Sequence, residues 1–221
     1  MIKLNTYATL IIPETHLDDE MVPSNAKDLD LIKKKQRQIV EGACRLFFDK
    51  GFHNSTIREI ALSSGMSMGQ LYHYISSKDD VLFLIYKHMQ TIWYEHLMQS
   101  GIDNIEDPIE RLNRAISLTI DFVLEHRRLF LFVYTETKYL SKKHLKVVLE
   151  MDDRNVVGFW KNLIEEAGVD INADIDLLAN LISHIMLFLP LRKWNIRGEI
   201  DEKVKDRLVR FILRGLGLYT Y

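Results

Sequence analysis

Ser67, Met68, Gly69, Gln70, Tyr72 and His73 fall within seven consecutive positions. Together they offer what is needed to read the edge of a nucleic-acid base. A glutamine amide can pair bidentately with adenine, and a thioether can lie against a thymine methyl. Gly69 lets the backbone come close. Small, polar and aromatic groups at the exposed start of a short helix suit the DNA major groove. Phosphate contacts position a protein, whereas base contacts specify, so only Met68, Gly69 and Gln70 are candidates for base reading. The plainer alternative is a helical hairpin with a polar face.

These residues need two short helices and a tight turn to hold them. Thr56 and Glu59 form a capping-box pattern that starts a helix, and Ser67 with Gln70 repeats it at the start of the next. Gly65 sits between, where a left-handed backbone is easiest for glycine. Ile57, Ile60 and Ala61 give the first helix a buried face, and Leu71 with Ile75 gives the second a narrow one. Ahead of both, a helix over about 31–50 carries Ile39, Ala43, Leu46 and Phe47 on one side and ends at Gly51.

The stretch from about Lys33 to Tyr86 resembles the DNA-binding domain of the tetracycline-repressor-like (TetR) family of bacterial regulators. The resemblance rests on Phe47-Phe48-Asp49-Lys50-Gly51-Phe52, Thr56-Ile57-Arg58-Glu59-Ile60-Ala61, Gly65-Met66-Ser67, Leu71-Tyr72-His73-Tyr74-Ile75 and Ser77-Lys78-Asp79. The chain departs from the family pattern at Ile75, usually Phe, and at Met68, often Lys, Ser or Pro. The resemblance implies that Tyr72 and His73 hydrogen-bond phosphates and that Lys78 contacts a phosphate from the start of the following helix. Ser55, Thr56 and the basic run Lys33-Lys34-Lys35 with Arg37 would grip the flanking backbone.

Charge is distributed to match. The chain carries a net −2. Residues 33–78 hold eight basic against three acidic residues, or +5, while 1–32 carry −4 and 79–221 carry −3. Phosphate neutralisation requires that concentration of positive charge. A composition 47% hydrophobic and 27% charged over 221 residues fits a soluble globular protein with a sizeable core. The single cysteine, Cys44, lies among apolar helix positions and reads as packing. It rules out an intrachain disulfide and fits a cytoplasmic setting. No apolar run approaches the ~20 residues of a membrane span, and no signal-peptide pattern is seen.

The chain reads as all-α: a three-helix helix-turn-helix domain over 31–77, then a helical bundle over 78–221 for ligand binding and dimerisation. Residues 1–30 read as an extension, and Met21 is an alternative start. Further helices are expected after Ser77 to about Gln99, over 108–125 behind Asp107-Pro108, and over 127–138, 141–167, 173–196 and 201–214. The resemblance implies a homodimer through the last two helices, bound to a two-fold-symmetric operator on double-stranded DNA, with repression the usual outcome. Tyr86, Trp93, Phe122, Phe159, Trp160 and His184 supply candidates for an effector pocket. Arg192 and Trp194, next to Pro190, are similar to an Arg-Trp element in regulators that answer to acyl-CoA esters. A protein partner in place of the small molecule is the alternative: a closed apolar pocket favours the ligand, an exposed apolar groove the partner. No Glu-x-x-His, His-Glu-x-x-His or phosphate-binding glycine loop is present, so no enzyme activity, metal or cofactor is expected.

Overall fold

The computed structural model describes residues 22, 29–170, 174–193 and 200–218. Most of the expected 1–30 extension, Met21 included, lies outside the described residues, as does Trp194. Every regular element among the described residues is helical, as the sequence predicts. The chain has an N-terminal helix-turn-helix followed by C-terminal helices, divided between two compact units.

One unit holds residues 29–91 and 132–150. It begins with α1 (Leu29–Lys50), α2 (Ile57–Ser63) and α3 (Met68–Tyr72). Their shared core is Ile39, Ala43, Phe47, Ile60, Ala61, Leu71 and Ile75, all buried. Helix α1 runs very close to the end of α2. A methyl group on Gly42 would come within 2.8 Å of the Ser64 backbone. That closeness lets α1 cap the last carbonyls of α2, which have no partner within their own helix. Gln38 Nε2 donates to the Ser64 carbonyl at 2.6 Å and Arg45 Nη2 to the Ser63 carbonyl at 2.8 Å. At the turn, Gly65 adopts φ +65° and the Met66 N–H returns to the Ala61 carbonyl at 2.9 Å, closing α2 in a left-handed cap.

The same unit takes in the first part of α4 (Lys78–Gln99), the end of α6 (Arg127–Glu136) and most of α7 (Lys142–Met151). Phe132 stacks on Phe47 with ring centres 5.4 Å apart. His144 stacks on Phe83 at 4.7 Å and bonds the Asp79 carboxylate at 2.5 Å. Segment 132–150 is therefore packed into the helix-turn-helix unit.

The second unit holds residues 92–131, 151–170, 174–193 and 200–218. It is built on α5 (Pro108–Glu125), α8 (Gly158–Glu166), α9 (Ile175–Ile185) and α11 (Glu202–Gly215). Asp107 caps α5, accepting from the Ile109 and Glu110 N–H groups at 2.8 and 3.0 Å. Leu112, Ile116, Trp160, Ile164 and Leu213 form the centre of the core.

Two helices differ from expectation. The one expected over 141–167 is α7 and α8 joined through a π-helical stretch, Asp152–Val157. It begins where the chain passes between units. The one expected over 173–196 begins at Ile175, breaks after Ile185 and resumes as α10 (Phe188–Arg192). Pro190 has no N–H to give the Met186 carbonyl, so the ladder fails one turn before the proline.

Candidate nucleic-acid interface

Helix α3 is held by its own first turn. Ser67 Oγ accepts from the Gln70 N–H at 3.2 Å, and Gln70 Oε1 accepts from the Ser67 N–H at 2.9 Å. Thr56 and Glu59 make the same reciprocal pair at the start of α2. Leu71 and Ile75 are fully buried and anchor α3, which leaves Ser67, Gly69, Gln70, Tyr72 and His73 exposed and Met68 half-buried. Among the described residues nothing lies within 4 Å of the Cβ position of Gly69, so its lack of a side chain answers no packing need there. To pair bidentately with adenine, Gln70 would have to release the Ser67 N–H, exchanging one hydrogen bond for two.

The flanking residues are more committed than their sequence suggests. Ser55 is buried, and its hydroxyl donates to the Gly51 carbonyl at 2.8 Å. That bond commits the hydroxyl expected to grip the flanking DNA backbone to the turn before α2. Lys78 donates to the Phe52 carbonyl, with its ammonium 4.2 Å from the Phe52 ring centre. Burial lowers its pKa, against the pull of Glu136 and Glu59. Lys35 Nζ donates to Gln38 Oε1 at 3.2 Å. Lys50 pairs with Glu59. That bond, followed by those from Thr56, holds the Glu59 carboxyl at about 2, below its ordinary 4.5. Sequence reasoning missed Gln38, Gly42 and Arg45. A glycine inside a helical pattern was the available signal.

Seven of the eight candidate effector residues are described, all but Trp194. Trp93, Phe122, Phe159 and Trp160 are buried in the core of the second unit. Tyr86 belongs to the other unit, where its hydroxyl meets Thr137 and the Val133 carbonyl. His184 was expected in the pocket but is exposed. It lies in a stripe with Leu177 and Leu181, because positions 177, 181 and 184 share one face of α9. Arg192 is exposed at the end of α10. A cleft bounded by Tyr94, Met98, Ile102, Arg111, Phe159 and Glu166 holds about 20 Å³, room for one water.

Residues 39–85 match the N-terminal domain model of the bacterial regulatory proteins of the tetR family. The chain is 33% identical over 135 residues to the HTH-type transcriptional regulator HbdR of Aromatoleum sp. (strain CIB), a match spanning 61% of this chain and 58% of that one. It is 23% identical over 188 residues to the HTH-type transcriptional repressor KstR2 of Mycolicibacterium smegmatis, covering 82% and 90% of the two chains. Among solved structures, AibR in complex with isovaleryl coenzyme A and operator DNA superposes with a TM-score of 0.62 at 21% identity, covering 84% of this chain and all of that one. Residues 39–85 are thus a TetR-type N-terminal segment. The TetR-type segment includes Thr56, the whole of α3 and Lys78, and ends inside α4.

Proposed function

We propose that the protein is a homodimeric DNA-binding transcriptional repressor, released from its operator by a small apolar or acyl-CoA-like effector. In this reading residues 31–77 bind DNA and 78–221 bind ligand and dimerise. The observation that carries it is the exposed, unpacked face of α3 inside the TetR-type segment. Tyr72, His73, Thr56 and Lys35 would hold phosphates around it. Lys78 would do so only by giving up the Phe52 carbonyl.

A second copy is favoured by what the last helices leave uncovered. Leu177, Leu181, Phe188 and Phe211 are 54%, 46%, 51% and 65% exposed. Fully burying one such side chain is worth roughly 1.5–3 kcal/mol. Two of them, Leu177 and Leu181, share one face of α9, and an exposed apolar face is what a self-complementary interface uses. One recognition helix reads only a few base pairs, so pairing two also gives useful affinity.

The effector reading is supported by the four buried aromatic residues of the second unit and by the AibR complex, which contains an acyl-coenzyme A. Helix α4 begins in one unit and ends in the other, offering a continuous element through which binding could reach α3. The ligand can shift that equilibrium only by its difference in affinity for the two states.

A mobility-shift titration on DNA selected for binding, with and without straight-chain, branched and aromatic acyl-CoA esters, tests this. Release of the complex by one class of ester is expected. Tight DNA binding that no ester relieves would remove the acyl-CoA assignment and favour a protein partner.

A further inference from the structure

We infer that the Trp160 indole N–H and the His96 imidazole Nε2 are the polar handles of a ligand site in the second unit's aromatic core, one that takes a mostly apolar molecule bearing a carbonyl oxygen. The inference rests on the effector reading above and deepens it.

Trp160 is 0% exposed, yet among the described residues its Nε1 has no hydrogen-bond partner. The fold can satisfy an indole in this region. Trp93, whose ring centre lies 6.2 Å from that of Trp160, donates its Nε1–H to Thr119 Oγ1 at 3.0 Å. Buried polar groups are nearly always paired, and each exception calls for a reason. An indole N–H can only donate, so whatever completes it must be an acceptor.

A second unpaired group lies in the same region. His96 is one turn from Trp93 on α4, and its Nε2 is buried without a partner among the described residues. The His96 ring lies 5.4 Å from Phe122, which in turn lies 4.3 Å from His126 and 5.9 Å from Phe130. Burial lowers the His126 pKa, with Glu125 opposing and His96 adding to the effect. The handles are thus an uncharged donor and an imidazole, set among rings.

These surroundings select the chemistry. A carboxylate would bring a charge that needs a cation beside it. A ketone, ester or thioester oxygen needs only a donor. Flat rings on several sides suit an apolar body of similar thickness. His96, His126 and Phe130 are half-buried while Trp93, Phe122 and Trp160 are buried, so the histidine side of the cluster is nearer the surface.

The test uses the full chain labelled with ¹⁵N at its three tryptophans, with indole resonances assigned from single Trp→Phe variants. The probes are acetophenone and its hydrocarbon counterpart, ethylbenzene. Acetophenone is expected to move the Trp160 indole proton downfield and saturably, and ethylbenzene to bind at least tenfold more weakly. Trp160→Phe should abolish that preference, with the Trp93 resonance reporting an intact core. His96→Phe should narrow it and serves if Trp160→Phe does not fold. Equal binding of the two probes would overturn the inference. So would a Trp160 resonance that neither moves, or one held by a water that the ketone does not displace. Operator release is measured separately. A ketone preference without release by any ester would sink the effector reading and leave the site. Release with an unmoved Trp160 would do the reverse.

Discussion

At the scale of single residues, Gly69 and Glu59 give the sharpest expectations. Nothing among the described residues occupies the space beside Gly69, and alanine is favoured over glycine in helices by roughly 0.5–1 kcal/mol. Gly69→Ala should therefore keep or raise thermal stability while weakening DNA binding at least tenfold, as read by calorimetry and fluorescence anisotropy. A loss of both would mean the glycine serves the fold. Glu59 is depressed to about 2 from an ordinary 4.5. A depressed carboxyl stabilises the folded state above the unfolded pKa, and that contribution is lost as pH falls through the folded one. The stability gap between wild type and Glu59→Gln should hold at pH 6 and close between about pH 4.5 and 2 in urea titrations. Burial pushes the Cys44 thiol up to about 12. Iodoacetamide at pH 8 should label it only in denaturant; rapid labelling of the native protein would contradict its role as packing.

At the scale of elements, the two short helices were legible because their signals are local. Thr56 with Glu59, Ser67 with Gln70, and Gly65 each fix backbone within a few residues, and all three are realised as read. The caps of α2 supplied by Gln38 and Arg45 were not legible, because those partners lie 26 and 18 positions away. Nor was the burial of Ser55, which looks like any polar residue before a cap. The packing of 132–150 into the helix-turn-helix unit depends on Phe132, Tyr139 and His144 meeting distant rings. Hydrophobic period shows that such residues are buried, not against what. The same gap explains His184, which shares the apolar period of α9 but is exposed. Gly42→Ala is the matching test. With the Ser64 backbone inside 2.8 Å of the new methyl, α1 and α2 must separate. A loss of about 1–3 kcal/mol is expected from such overpacking, together with weaker DNA binding. An unchanged urea midpoint would refute the close approach.

At the scale of the whole molecule, affinity for DNA is expected to come from two copies acting together. Leu181→Glu with Phe211→Glu places charges on the uncovered apolar face. The double variant should sediment as a monomer and lose affinity for a full site while binding a half-site as before. A dimer that survives both changes would place the interface elsewhere. The central claim, that α3 reads DNA within such a dimer, is tested most directly by selection from random duplex DNA with the wild type and Gln70→Ala in parallel. Enrichment of a two-fold-symmetric pair of half-sites is predicted for the wild type, with altered preference at one position in each half for the variant. Failure to enrich any sequence, or identical preferences from the two proteins, would contradict the assignment of α3 and Gln70 to base reading.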